Sequence, residues 1–147
     1  MISEDFHIEE RVQPGESRHF NIHIARLPIG TVVDIRVFVY RGTDPGPVIL
    51  LSAGLHGDEV NGTEIIRRMM SDHMLQPDAG TVIAMPVLNI YGFLNFARDL
   101  PDGKDANRSF PGTKTGSLAS RVAYHLGRKI IPNIDFGIDF HTGGGNR

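Results

Sequence analysis

The run Val48-Ile49-Leu50-Leu51 constrains this chain more than any other segment. It is short, unbroken and apolar, and it follows the breaker Asp44-Pro45-Gly46-Pro47. A half-exposed strand alternates polar and apolar side chains, so an unbroken run predicts a strand covered on both faces. Such a strand needs layers above and below it, which predicts an α/β layered sheet. The run empties into Ser52-Ala53-Gly54-Leu55-His56-Gly57-Asp58-Glu59. Ile65, Ile66, Met69, Met70 and Met74 then recur at helical spacing until Gln76-Pro77, and that stripe accounts for the methionines as core. Residues 81–88 predict a second buried strand, with Pro86 marking its end or an edge. A long loop over 89–115 follows, rich in Asn, Asp, Gly and Pro; loops of that length are often functional. Ser117 suits the N-cap of a second helix whose stripe is Leu118, Val122, Leu126 and Ile130, stopped by Pro132. The last strand, Phe136 to Phe140, runs straight into His141-Thr142-Gly143-Gly144-Gly145.

Upstream of the breaker the pattern is different. Residues 19–24 and 32–40 alternate polar and apolar, the second run placing Val33, Ile35, Val37 and Val39 on one face. Joined by Leu27-Pro28-Ile29-Gly30, they predict an antiparallel strand pair. Residues 1–18 are polar and read as a mobile lead-in. Two parts follow from this change: a β extension over 1–45, and an α/β domain over 46–147. At 147 residues there is room for one ordinary core. Fifteen basic against 17 acidic side chains argue against a nucleic-acid partner, which calls for a basic excess. Without cysteine there is no disulfide framework, iron–sulfur cluster, thiolate zinc site or thiol nucleophile. No apolar run approaches the roughly 20 residues of a membrane span, and the acidic start lacks a secretion signal. The expected location is the cytoplasm.

In α/β sheets, ligands sit beyond the carboxyl ends of the strands. Two strands deliver a histidine there, His56 and His141, and Glu59 lies three residues after His56 at the first turn of a helix. Two imidazoles and a carboxylate make a three-ligand set for Zn²⁺ that leaves a fourth position for water. The separation of 85 positions from His56 to His141 is too long for a finger-type structural site and suits a catalytic site assembled from separate strands. A loop histidine is ordinarily a surface residue, and His7, His19, His23, His73 and His125 keep that reading. The His-x-x-Glu spacing at a buried strand's end, with a second strand-end histidine, sets His56 and His141 apart. In the long loop, Arg98 and Arg108 offer guanidinium groups that grip a carboxylate or an oxyanion. Asp105 can accept the outer N–H of a ligating histidine. By composition alone, the plainer reading of that loop is a solvated charged segment.

Three motifs now stand in order: Ser-Ala-Gly-Leu-His56-Gly-Asp-Glu59-Val-Asn-Gly, Asp105-Ala-Asn107-Arg108-Ser-Phe, and Asp139-Phe-His141-Thr-Gly-Gly. Together they resemble the succinylglutamate desuccinylase/aspartoacylase family, which shares the zinc-carboxypeptidase fold. The resemblance covers about residues 46–147, and the strand pair before it is similar to an N-terminal extension of some bacterial members. It implies a three-layer α/β/α sandwich on a mixed sheet and hydrolysis of the amide of an N-acylated amino acid. It further implies one zinc held by His56, Glu59 and His141, with Asp105 behind a zinc histidine. Arg98 would polarise the scissile carbonyl, and Asn107 with Arg108 would hold the substrate carboxylate. The family's general base is a glutamate well downstream of the last zinc histidine, whereas the last glutamate here is Glu64. The expectation is therefore an incomplete hydrolase domain, inactive alone, whose partner is the remaining C-terminal part and whose last strand belongs inside a larger sheet. A metallocarboxypeptidase acting on peptides and an inert small-acid binding module are the alternatives.

Overall fold

The computed structural model describes the backbone of residues 6–7 and all of residues 11–144. Two short strands, β1 (Phe6–His7) and β2 (Arg11–Val12), pair antiparallel. The polar lead-in is therefore not free throughout: Val12 is fully buried in the main core. Glu4, Asp5, Glu9 and Glu10, the side chain of His7, and residues 145–147 lie outside the described residues.

Strands β3 (Ser17–Arg26) and β4 (Val32–Arg41) form the expected antiparallel pair. Their turn closes with Leu27 N–H donating to Thr31 O (2.8 Å) and Gly30 N–H to Leu27 O (2.8 Å). The register shifts between His23 and Ala25, and that bulge lets Ile24 and Ala25 both turn inward. Strand β5 (Asp44–Ala53) begins earlier than the sequence suggests. Asp44-Pro45-Gly46-Pro47 does not break it; the sheet absorbs the two prolines as an irregularity between Asp44 and Val48, where ladder bonds are skipped. Strand β6 (Ala79–Met85) stops where Pro86 would have to donate. Strand β7 spans Phe136–Phe140.

The five long strands make one mixed sheet in the order β3-β4-β6-β5-β7. The β3/β4 and β4/β6 pairs are antiparallel, and β5 runs parallel to both β6 and β7. Side-chain alternation splits the core into two. On one face Ile22, Ile35, Val37, Val39, Ile83 and Leu50 pack with Val122, Leu126 and Ile130 of the chain that includes α3 (Leu118–His125). On the other, Leu51, Ala53, Ala84 and partly buried Phe38 and Tyr40 pack against α1 (Val60–Ser71) through Ile66, Met69 and Met70. This is a three-layer α/β/α sandwich. Each fully buried aliphatic side chain contributes about 1.5–3 kcal/mol.

The helices show where pattern and fold part. Met74 is 65% exposed and does not join the core, because α1 ends at Ser71, Asp72 follows it, and His73 turns the chain away at φ 55°. Ile65, midway along the helix, is also exposed. Ser117 caps α3, its hydroxyl accepting from Ser120 N–H (3.4 Å). Beyond α3 the chain keeps turning as a wider π turn (Leu126–Ile130) and a 3₁₀ turn containing Pro132 (Ile131–Asn133). The 89–115 segment is not an unstructured loop: it holds α2 (Ile90–Asn95) and a 3₁₀ turn (Ala106–Arg108). Among the described residues, no helix is long and apolar enough to cross a membrane.

Candidate metal centre

The site begins where β5 ends. Gly54 takes φ 63°, which turns the chain sharply off the strand at small cost to a residue without a Cβ. Leu55 anchors the turn in the core, and His56 follows, 2% exposed. Gly57 lies against the backbone of Gly92 in α2, where any side chain would collide, and its N–H donates to Ala97 O (3.0 Å). The loop is thus held from both sides. Glu59 occupies the N-cap of α1 yet makes no capping bond. Its carboxylate is turned into the site instead.

That carboxylate is the centre of the arrangement. Glu59 Oε1 lies 2.8 Å from His56 Nδ1, and Glu59 Oε2 lies 2.8 Å from His141 Nδ1. The N–H of Thr142 donates to Glu59 Oε2 (3.0 Å), so the end of β7 is tied to the start of α1. The two imidazoles meet edge to face with ring centres 5.0 Å apart. One ligand atom from each of His56, Glu59 and His141 falls within 4.8 Å of the others. Behind each imidazole stands another carboxylate: Asp105 Oδ1 is 3.2 Å from His56 Nε2, and Asp139 Oδ2 is 2.6 Å from His141 Nε2.

Asp105 is placed by its own loop. Leu100 and Ala106 are buried to either side, and Asp105 caps the 3₁₀ turn by accepting from Asn107 N–H (2.8 Å). Its second oxygen receives Arg98 Nε (3.2 Å) and Nη2 (3.0 Å), while Arg98 Nη1 reaches Glu59 Oε1 (3.4 Å). Arg98 is steadied by buried Asn89, whose amide donates to Arg98 O (3.4 Å) and whose Oδ1 caps α2 through Gly92 N–H (2.8 Å).

Charge follows from these contacts. Burial alone would raise the Glu59 carboxyl; the Thr142 N–H, His56 and His141 outweigh it and hold it below its ordinary value. Burial would likewise raise Asp105, but Arg98, the Asn107 N–H and His56 bring it down. For His141 burial acts to lower, and Asp139 with Glu59 reverses it, leaving the imidazole raised. The anionic forms of both carboxylates are therefore the favoured ones near neutrality.

A carboxylate only accepts, so each imidazole meets an acceptor at both nitrogens. With the outer Nε2 carrying its proton toward Asp105 or Asp139, the inner Nδ1 lone pairs face the Glu59 anion. A cation at that convergence satisfies all three groups together. Two neutral imidazole nitrogens and one carboxylate oxygen are a donor set that suits Zn²⁺. A cleft of about 870 Å³ opens over the set, lined by Asp58, Arg98, Lys104, Arg108, Thr142 and Gly144 among others.

The structure thus brings together His56, Glu59, His141, Asp105 and Arg98. Arg108 stands at the rim, its side chain 86% exposed and its Nε 3.8 Å from Asp105 Oδ2. Asn107 meets the site through its backbone, and its side chain is not part of the cleft wall. Among the histidines read as ordinary, His19, His23 and His73 are exposed and His125 is buried; none joins a metal-holding group among the described residues. Sequence reasoning missed Asp139, Ser52, Asn89 and the Thr142 N–H. Only Asp139 carried a signal: two residues before His141 in a strand, it shares that histidine's side.

The comparisons with known proteins agree with this fold. Residues 45–147 match the family model of the succinylglutamate desuccinylase/aspartoacylase catalytic domain. An N-alpha-acetyl-L-2,4-diaminobutyric acid deacetylase of Halomonas elongata is 36% identical over 116 residues, covering 78% of this chain and 33% of that protein. The crystal structure of a succinylglutamate desuccinylase/aspartoacylase from Rhodobacter sphaeroides superposes with TM-score 0.79 at 28% identity, over 95% of this chain and 43% of that one. The product-bound ectoine utilization protein EutE (DoeB) of Ruegeria pomeroyi gives 0.75 at 27% identity, over 86% and 40%. The chain therefore spans about a third of the curated relative's length and about two fifths of the solved structures'. A mixed-sheet sandwich with this site at its strand ends, matched over residues 45–147, belongs to the succinylglutamate desuccinylase/aspartoacylase family.

Proposed function

We propose that these residues form the metal-holding half of a zinc-dependent deacylase that cleaves the amide of a small N-acylated amino acid. One observation carries the reading: the inner nitrogens of His56 and His141 both converge on Glu59 while their outer nitrogens each rest on a carboxylate. The deacetylase relative, which acts on an N-acetylated diamino acid by its name, supports the substrate class.

His56, Glu59 and His141 would hold one zinc, which supplies a Lewis acid that acidifies water and polarises a carbonyl. The other roles fall to this chain's own groups. Arg98 has its guanidinium fixed on Asp105 and directed at the Glu59 side of the cleft, where it can stabilise negative charge developing on a carbonyl oxygen. Arg108, exposed at the rim, takes the substrate's carboxylate, its fork suited to two parallel hydrogen bonds; Asn107, exposed beside it but outside the cleft wall, joins it once its side chain turns inward. Asp105 keeps the proton of His56 on Nε2 and seats Arg98 at once.

The group that removes a proton from the attacking water comes from elsewhere. Glu64, the last glutamate of this sequence, lies on the outside of α1, bound to Arg67 and Arg68. Phe136 and Ile138, exposed on β7, fit an edge that further strands of the same protein cover. The test is metal content followed by turnover. The purified, metal-stripped chain should take up one zinc, and His56→Ala should lose it; a wild-type chain that binds none under replete conditions overturns the proposal. Amine release from N-acetyl-diaminobutyrate should be negligible for these 147 residues, and enzyme-like turnover would show that the proton acceptor lies within them.

A further inference from the structure

We propose that Asp139, seated by Ser52, is a positioning residue that presents His141 to the metal. The inference rests on the zinc reading above and adds to it a second carboxylate–imidazole pair and its anchor. Ser52 and Asp139 face each other as register partners across the parallel β5–β7 pair. Ser52 is buried, and its hydroxyl donates to Asp139 Oδ1 (2.8 Å). That bond fixes the carboxylate's rotation and leaves Oδ2 free to receive His141 Nε2–H at 2.6 Å. With the proton held on Nε2, the lone pair of His141 Nδ1 is directed at the point where Glu59 and His56 meet. Asp105 does the same for His56, though from a loop.

The difference in origin matters. Asp105 sits in a capped turn that carries its own supports, whereas Asp139 is placed by strand pairing. A slip of one residue between β5 and β7 would move Asp139 off Ser52 and send His141 to the opposite side of the sheet. The Ser52–Asp139 bond therefore makes the correct register a condition for a complete donor set. Carboxylates behind metal histidines orient the ring and increase its basicity, and their loss typically weakens metal binding about 10- to 100-fold.

Competition with a zinc chelator tests this on the 147-residue chain. Asp139→Ala should weaken zinc by about 10- to 100-fold, with Asp139→Asn in between because its amide oxygen still accepts. Ser52→Ala should weaken zinc less, and should have no further effect once Asp139 is alanine, since it acts through that carboxylate. If Asp139→Ala binds zinc as tightly as wild type, or if Ser52→Ala costs the same in both backgrounds, the proposal falls. Imidazole ¹⁵N spectra of the zinc-loaded wild type give a reading independent of any variant's folding. The His141 Nε2–H should be visible and exchange slowly with water, and a rapidly exchanging proton there overturns the assignment. A wild type that binds no zinc overturns the metal reading and this one with it. Zinc binding that ignores Asp139 overturns this one alone.

Discussion

Strands β3 and β7 are the two edges of the same five-stranded sheet, yet they are held by different means. Strand β3 has ten residues paired along nearly its whole length with β4. Phe20, Ile22 and Ile24 point into the core while His19, Asn21 and His23 face solvent, the alternation expected of an edge with one covered face. Strand β7 has five residues and pairs with β5 alone among the described strands. Phe136 is 63% and Ile138 51% exposed, and only Phe140 gains partial cover from α1. An exposed apolar edge of this kind is an aggregation risk that proteins ordinarily blunt. Polar contacts compensate at both ends: Asp135 and Val48 exchange two hydrogen bonds just before the strand (2.8 and 2.9 Å), and beyond it stand Asp139 on Ser52, His141 on Glu59, and the Thr142 N–H on Glu59. One edge is secured by apolar packing, the other by polar contacts, most of which belong to the site.

The largest expected effect separates the edges by one substitution made twice. Ile22→Ala removes a fully buried side chain and should destabilise the chain by about 2–5 kcal/mol. Ile138→Ala on β7 removes a half-exposed one and should fall within about 0.5 kcal/mol of wild type, as surface changes do. Urea midpoints measure both, and equal losses would mean that the β7 edge carries as much packing as the β3 edge.

The same contrast decides what could be read from the letters. The β3/β4 pair, the buried strands and the α3 stripe follow from periodicity, because apolar burial is what periodicity records. The donor set His56, Glu59 and His141 was visible because strand ends and helix starts are marked by Gly, Pro and an abrupt loss of apolar residues. The bulge that takes up Pro45 and Pro47 was not visible, since a sheet's tolerance for a skipped bond depends on its neighbours. Met74 was misplaced because the helix ends at Ser71 and the backbone of His73 turns the chain away, without a change in residue character to mark it. Ser52 carried no local mark at all; its role exists only through the residue across from it on β7.

Zinc should sharpen the contrast next. The ion would join residues at the ends of β5 and β7, so its binding energy is spent on keeping β7 docked. At a free zinc concentration 100 times its dissociation constant, opening of β7 should cost about 2.7 kcal/mol more, a roughly 100-fold gain in amide protection. Hydrogen exchange should show that gain at residues 136–142, with β3 and β4 slowed only as far as global unfolding is slowed. Uniform protection would show the two edges to be one cooperative unit, and no protection at β7 would detach that strand from the metal.

The smallest effect is the pH profile of the metal-free chain. Glu59 is held below its ordinary 4.5, so its contribution is present above that value and is lost as pH falls through its lowered folded value. His141 is held above its ordinary 6.5, so its contribution is complete below that value and fades as pH rises through the raised folded value. The two slopes have opposite sign and meet over the same bond, Glu59 with His141. Docking of β7 without metal should therefore be firmest between about 4.5 and 6.5 and should loosen on either side. Amide exchange, corrected for its intrinsic pH dependence, reads this directly at Phe140 and Thr142. The inner face of β3, whose side chains do not titrate, supplies the internal reference, since local loosening of β7 leaves Ile22 and Ile24 unchanged. With zinc bound the alkaline slope should vanish first, because a metal on Nδ1 needs the neutral imidazole that rising pH supplies.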